Sequence, residues 1–113
     1  MPRVEFIPEF LKELPEVDLP LAGARTWLRQ GERRQVVFVE FDATVEVPEH
    51  HHAEQWELAI AGQVEMRVGG QTTVYKAGDS FVIAAGAPHA ATVHAVCRAL
   101  MVFNAPDRYR AKR

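Results

Sequence analysis

The chain has 113 residues, 48% of them hydrophobic and 25% charged, which is enough for a single domain with one hydrophobic core. A formal net charge of -2 offers no basic excess for binding nucleic acid or an anionic membrane surface. No segment approaches the ~18 consecutive apolar residues that span a membrane, and the lone Cys97 excludes an internal disulfide. We therefore expect a cytoplasmic protein that binds neither nucleic acid nor membrane.

The N-terminal segment begins with a short predicted helix. Pro8 and Pro15 bracket the residues from Glu9 to Leu14, and proline favours the start of a helix and prevents its continuation. This segment is apolar, with Val4, Phe6, Ile7, Phe10, Leu11 and Leu14 before and within the helix. We predict that residues 1–22 form an arm that packs on the β-barrel described next or on a partner subunit.

From Ala24 onward, short extended runs alternate with turn residues, which is typical of an all-β sandwich or barrel. Turns are predicted at residues 30–32, 61–62, 69–70 and 78–79, each containing glycine. We predict an antiparallel barrel over residues 23–106 and a basic, solvated tail over residues 107–113. The predicted strands are Ala24–Arg29, Gln35–Phe41, Thr44–Val47, Gln55–Ala61, Val64–Val68, Thr72–Lys76, Ser80–Ile83, His89–His94 and Arg98–Phe103.

Four of the five histidines lie in two places. His50, His51 and His52 precede a predicted strand, and His89 begins another. Because successive side chains of extended backbone point to opposite faces, His50 and His52 share a face and His51 points away. Two such imidazoles and a third from a distant strand can bind one metal ion through neutral ring nitrogens. The alternative is a solvated polar patch at the end of a loop.

The same alternation extends into the strand that follows the three histidines. Within that strand it places Gln55, Glu57 and Ala59 on one side. Trp56 and Leu58 then lie on the opposite side. We therefore expect both Gln55 and Glu57 to point towards the interior of the barrel.

Two segments resemble the two sequence motifs of the cupin family. PEHHHAEQWELAIAGQVEMRVGG resembles the first motif, in which His-x-His is followed by an acidic residue and a glycine. GDSFVIAAGAPHAATV resembles the second, with its Gly-Asp start and Gly-x-Pro-His ending, and the terminal FNAPDRY is similar to that of small stand-alone cupins. The resemblance implies a double-stranded β-helix, or jelly-roll barrel, that holds one divalent transition metal.

The resemblance also implies that His50, His52 and His89 are metal ligands. The fourth ligand is open between two residues: the spacing back from Gly62 selects Gln55, where cupins usually have glutamate, and the spacing forward from His52 selects Glu57. We favour Gln55. Four neutral ligands would leave the ion its full double charge and make it a stronger Lewis acid. Imidazole-rich ligation is compatible with Zn, Ni, Fe, Co, Mn or Cu.

Glu57 is the candidate catalytic residue, as a general base whose pKa is raised by burial in the barrel. The alternative is that Glu57 orients a histidine ligand. Because histidine must be neutral to bind a metal, we expect metal retention to drop as the pH falls through ~6.5.

The cupin resemblance implies an enzyme of oxygenase, isomerase, lyase or decarboxylase type that binds a small organic substrate at the metal. A non-catalytic module that binds a sugar or another small molecule is the first alternative. A barrel in which the metal only stabilises the fold is the second. The resemblance further implies a homodimer.

Overall fold

Antiparallel strands make up most of the protein, as the sequence predicts. The computed structural model describes residues 7–19 and 21–112. Residues 1–6 and 20 of the predicted arm and Arg113 of the predicted tail lie outside the described residues. The strands are β1 (Ala24–Gln30), β2 (Gln35–Phe41), β3 (Val45–His50), β4 (Gln55–Val68), β5 (Gln71–Lys76), β6 (Ser80–Ile83) and β7 (His89–Phe103).

The predicted helix is present as a short 3-10 helix, Glu9–Glu13, between Pro8 and Leu14. Both flanking residues have extended backbone, so the turn is not continued on either side. Within residues 7–19 and 21–112, the structure contains no helix whose length and hydropathy would let it cross a membrane.

The long strands β4 and β7 connect two groups of strands. They have 14 and 15 residues and pair with each other along almost their whole length. In the first group, the first half of β4 pairs with β6, and the second half of β7 pairs with β2, which β1 extends. In the second group, the second half of β4 pairs with β5, and the first half of β7 pairs with β3. Every one of these pairings is antiparallel, which confirms the predicted all-β class.

The two groups of strands enclose one hydrophobic core. Val37 and Phe103 contribute to it from the first group, and Val64 and Val93 from the second. All four side chains are at most 4% exposed. The groups therefore pack face to face as a jelly roll, with the candidate site between them.

The predicted turn at Ala61-Gly62 is wrong, because β4 continues through it. The pairing of β4 with β7 shifts register on either side of Ala61, as it does at a β-bulge. Gly62 has a φ of 80°, and a Cβ there would overlap the carbonyl oxygen of Val96. Turns and bulges both require glycine at such positions, so the pattern alone does not distinguish them. The gap predicted after His94 is likewise continuous strand.

The two ends of the described chain pair with each other. The backbone N–H of Lys112 donates to the carbonyl of Glu16, and Val17 forms an antiparallel bridge with Ala111. The side chains of residues 110–112 are exposed, but their backbone is not free in solvent. The sequence does not predict this contact, because main-chain pairing of a single short segment leaves no hydrophobic periodicity.

The described part of the N-terminal arm packs on its own barrel. Ile7 and Trp27 are each 1% exposed. The Lys12 Nζ lies 5.6 Å from the centroid of the Trp27 ring and 3.4 Å from a carboxylate oxygen of Glu40. Because Thr26 lines the central cavity and its neighbour Trp27 does not, this cover lies on the outer side of β1.

Candidate metal centre

Three of the predicted ligands meet where β3 ends and β7 begins. The strand register pairs His50 directly with His89, and His52 follows two residues later. The ring centroids are 4.3 Å apart for His50 and His89, 4.7 Å for His52 and His89, and 5.1 Å for His50 and His52. One nitrogen of each ring lies within 4.8 Å of the others, so the three side chains could hold one ion. His51 is exposed, which confirms the alternation predicted for residues 50–52.

The backbone selects the same tautomer for all three rings. The Nδ1 atoms of His50, His52 and His89 lie 2.9, 2.7 and 2.9 Å from main-chain carbonyl oxygens. A carbonyl can only accept, so each Nδ1 carries the proton and donates it, and each Nε2 keeps a free lone pair. The acceptors are the carbonyls of Pro48, Ala53 and Ala87. This donor set fits a transition-metal ion, because ligating histidines are usually held by such a bond at the other nitrogen.

Burial keeps the imidazoles of His52 and His89 neutral. Desolvation is the main cause that lowers the pKa of His52 to about 4 and that lowers the pKa of His89 below its usual value. The positive charge of Arg108 acts in the same direction on both rings. Protons therefore compete with an ion at a lower pH than the value near 6.5 expected from the sequence, because that expectation uses the pKa of a solvated imidazole.

Gln55 and Glu57 both point inward, as the alternation predicts. They are 5% and 3% exposed, whereas the intervening Trp56 is only half-buried on the other side of β4. The Gln55 Nε2 donates a hydrogen bond of 2.9 Å to the Glu57 carboxyl group. The partner of Glu57 is thus the amide of Gln55 and not a histidine ring. Their roles as ligand and catalytic residue stay predictions.

Burial changes the acidity of Glu57. Desolvation raises the pKa of Glu57 to about 8, although the hydrogen bond from Gln55 acts in the opposite direction. In the metal-free protein the carboxyl group is therefore largely protonated at neutral pH. A buried carboxyl group with a pKa in this range can donate or accept a proton near neutrality.

A cavity of about 110 Å³ lies at the centre of the barrel. The three histidines, Gln55 and Glu57 all line it, so the candidate ligands and the candidate catalytic residue share one space. Most of the remaining wall is aliphatic or aromatic, and includes Val39, Met101 and Phe103. The site therefore combines a few polar groups with an apolar surround, as small-molecule sites commonly do.

Sequence reasoning missed the contribution of the C-terminal segment to the cavity. Arg108 and Tyr109 line it together with the histidines, although residues 107–113 were predicted as a solvated tail. The basic run suggested solvent exposure, and no periodicity indicated an inward side chain. The one available signal was FNAPDRY, whose similarity to the terminal segment of small cupins indicated that this part belongs to the barrel.

Comparison with known proteins places this geometry in a family. The family profile described as "Cupin domain" matches residues 37–103, which include the three histidines, Gln55 and Glu57. No curated protein sequence matches the chain. The solved structures compared below are each under 25% identical in sequence to this chain, so their similarity bears on the fold alone.

Three solved structures illustrate this similarity. An RmlC-like cupin from Shewanella frigidimarina NCIMB 400 is 24% identical with a TM-score of 0.73, covering 96% of both chains. KdgF from Halomonas sp. is 21% identical with a TM-score of 0.70, covering 81% of this chain and 88% of that one. Oxalate decarboxylase from Bacillus subtilis, a protein with Mn(II) centres, is 18% identical with a TM-score of 0.63, covering 75% of this chain and 26% of that one. With the family profile spanning more than half of its length, the chain belongs to the cupin family.

Proposed function

We propose that the protein is a metalloenzyme that binds one divalent transition metal and acts on a small organic molecule. The observation that carries this proposal is that three imidazoles with free Nε2 atoms share a cavity with the buried carboxyl group of Glu57. His50, His52 and His89 are the proposed ligands. When bound, the ion supplies Lewis-acid polarisation of a substrate oxygen.

Gln55 is the better candidate for the fourth ligand. Its Nε2 donates to Glu57, which leaves its Oε1 as the atom available to a cation. The ligand atoms of His50, His52 and His89 lie within 4.8 Å of one another, and among the described residues Glu57 is not part of this group. Glu57 thus orients Gln55 by accepting its hydrogen bond, as carboxyl groups next to a metal ligand commonly do.

Glu57 is the proposed proton-transfer residue. With a pKa of about 8 in the metal-free protein, it holds a proton at neutral pH and can release it at small cost. A nearby dication would lower this pKa and increase the ionised form, which acts as a base. Among the reaction classes that the cupin resemblance implies, isomerase and lyase chemistry are favoured, because both move a proton next to a polarised oxygen.

Zn, Ni, Fe, Co, Mn and Cu are all compatible with three imidazoles and an amide. The Mn(II) centres of oxalate decarboxylase support keeping Mn among them. Neutral ligands do not offset the charge of the ion, so the proposed affinity is lower than with a glutamate ligand. Metal content must therefore be measured on protein prepared without chelators.

A non-catalytic small-molecule or sugar-binding module is the second candidate. The largely aliphatic and aromatic wall of the cavity favours it, because such a surface can retain a ligand without any reaction. Glu57 would then only orient Gln55. The difference between the two candidates lies in turnover, since both bind a ligand.

The test combines metal analysis with a substrate screen. Purified protein and the variants His89→Ala and Glu57→Gln are analysed for metal by mass spectrometry and then incubated with small carbonyl and carboxylate compounds. An enzyme should lose turnover in Glu57→Gln while keeping its metal, and should lose both in His89→Ala. Ligand-induced stabilisation without turnover would favour the binding module. Full metal content in His89→Ala would contradict the proposed centre.

A further inference from the structure

Arg108 is a cation at the rim of the cavity that lacks a partner within the described chain. It lines the central cavity and also two shallow surface depressions, one of them shared with His50. Its Nε is buried and forms no hydrogen bond with any residue that the structure describes. None of the ion pairs formed among residues 7–19 and 21–112 includes Arg108. A buried guanidinium nitrogen without an acceptor is costly and indicates a missing binding partner.

The position of the Arg108 side chain is fixed by aromatic rings. Its guanidinium carbon lies 4.7 Å from the centroid of the Tyr109 ring and 5.8 Å from that of Phe103. Contacts with ring faces orient a planar guanidinium without occupying its N–H donors. The group is therefore held in place and keeps donors for another molecule.

The backbone next to Arg108 is held equally firmly. Gln35 is fully buried, and its side-chain amide accepts from the Tyr109 N–H and donates to the Tyr109 carbonyl, both at 2.9 Å. The Gln30 side chain donates to the carbonyl of Pro106 at 2.8 Å. These bonds hold the segment that carries Arg108 across the cavity, so its cationic side chain is built into the site.

A second polar group inside the same cavity lacks a partner. Thr26 is 2% exposed and lines the cavity, and its Oγ1 forms no hydrogen bond within the described chain. The rest of the neighbouring wall is mostly apolar. A ligand that satisfies both groups needs an anionic end for Arg108 and a second polar atom for Thr26.

We propose that Arg108 binds the carboxylate of a small organic acid, a 2-hydroxy- or 2-oxocarboxylate, whose remaining polar atoms face Thr26 and the histidine cluster. A single guanidinium forms paired hydrogen bonds with a planar carboxylate. The cavity of about 110 Å³ is smaller than the ~150 Å³ that accommodates the six carbon atoms of benzene, so the enclosed part of the ligand has fewer non-hydrogen atoms than benzene. The assignment of the histidine end rests on the proposed function, whereas the Arg108 contact does not.

The test compares each acid with its uncharged amide of the same shape. Lactate against lactamide, and pyruvate against pyruvamide, are titrated by ligand-detected NMR into metal-free protein and into protein loaded with Zn²⁺. We expect both forms to bind the acids at least about tenfold more tightly than the amides, the effect of a charge-assisted hydrogen bond. Arg108→Gln should remove this preference, and Arg108→Lys should retain part of it.

Arg110→Gln is the matched control, because Arg110 is exposed on the same segment and outside the cavity. It should bind the acids as the unmodified protein does, and thermal melting of each variant shows whether it is folded. Equal affinity for acid and amide, no binding of either acid, or unchanged binding by folded Arg108→Gln and Arg108→Lys would each overturn the proposal. Zn²⁺ binding with no acid preference would leave the metal centre standing without this inference. A preference for the acids with no Zn²⁺ binding would support the Arg108 contact and contradict the metal centre.

Discussion

Replacing Glu57 by glutamine in the metal-free protein should remove a distinct pH dependence of stability. Folding raises the pKa of Glu57 from 4.5 to about 8 through desolvation. The folded state therefore holds a proton that the unfolded state has released, so stability falls as the pH rises through this range. The contribution of Glu57 to the free energy of unfolding is fully present below its pKa in the unfolded state. It is lost as the pH rises through its pKa in the folded state. Glutamine has the same shape and no proton to lose.

The magnitude follows from the two pKa values. Between pH 6.5 and 8, the linkage relation gives a loss of about 2 kcal/mol in the free energy of unfolding from Glu57 alone. The pKa of His52 is lowered to about 4 by desolvation, so its own contribution is lost as the pH falls below about 6.5 and lies outside this window. The difference between the two proteins therefore isolates Glu57.

The assay is urea unfolding followed by tryptophan fluorescence, in buffers of equal ionic strength that contain a chelator. Glu65→Gln is the matched control, because Glu65 lies on the same strand outside the cavity and forms a half-buried ion pair with Arg67. This control should retain the pH dependence of the unmodified protein. A constant difference in unfolding free energy between Glu57→Gln and the unmodified protein across the window would refute the reasoning.

Three further predictions concern the ligands, the C-terminal segment and the assembly. Metal should be retained at pH 6 and lost towards pH 4, because burial lowers the pKa of His52 and His89. Equilibrium dialysis with metal analysis measures this retention, and a loss of metal centred at pH 6.5 would contradict the desolvation of these histidines. Gln35→Leu should destabilise the protein by about 3 kcal/mol, because two backbone groups of Tyr109 lose their partner, whereas the exposed Gln71→Leu should change little in the same urea titration. Sedimentation velocity at micromolar concentration tests the homodimer predicted from the family resemblance, and a monomer there would contradict it.

Local alternation was sufficient to predict much of the site. The two-residue period of extended backbone separates His51 from its neighbours, and it places Gln55 and Glu57 together on one face of β4, the buried one. It succeeds because each of these positions depends on the few residues beside it. The meeting of His50 and His89 depends on strand pairing, and only the family resemblance indicated that contact.

Features that depend on distant contacts could not be predicted. Arg108 reaches the cavity because the Gln35 amide binds the backbone of Tyr109, a contact that spans 74 positions of the chain. A basic segment without hydrophobic periodicity does not predict such a long-range contact. The bulge at Gly62 was mistaken for a turn for a related reason, since the strand that continues past it is held by its pairing with β7.

The carbonyl partners of the three histidines have a consequence for how this protein can change. Because the groups that fix each imidazole belong to the main chain, replacing a neighbouring side chain leaves the orientation of the rings intact. Under the proposed function, wall residues such as Val39 and Met101 could then vary with the bound small molecule and have little effect on metal binding. Under the proposed function, binding an ion and selecting a substrate would thereby depend on separate residues, and new specificities would be accessible through single substitutions.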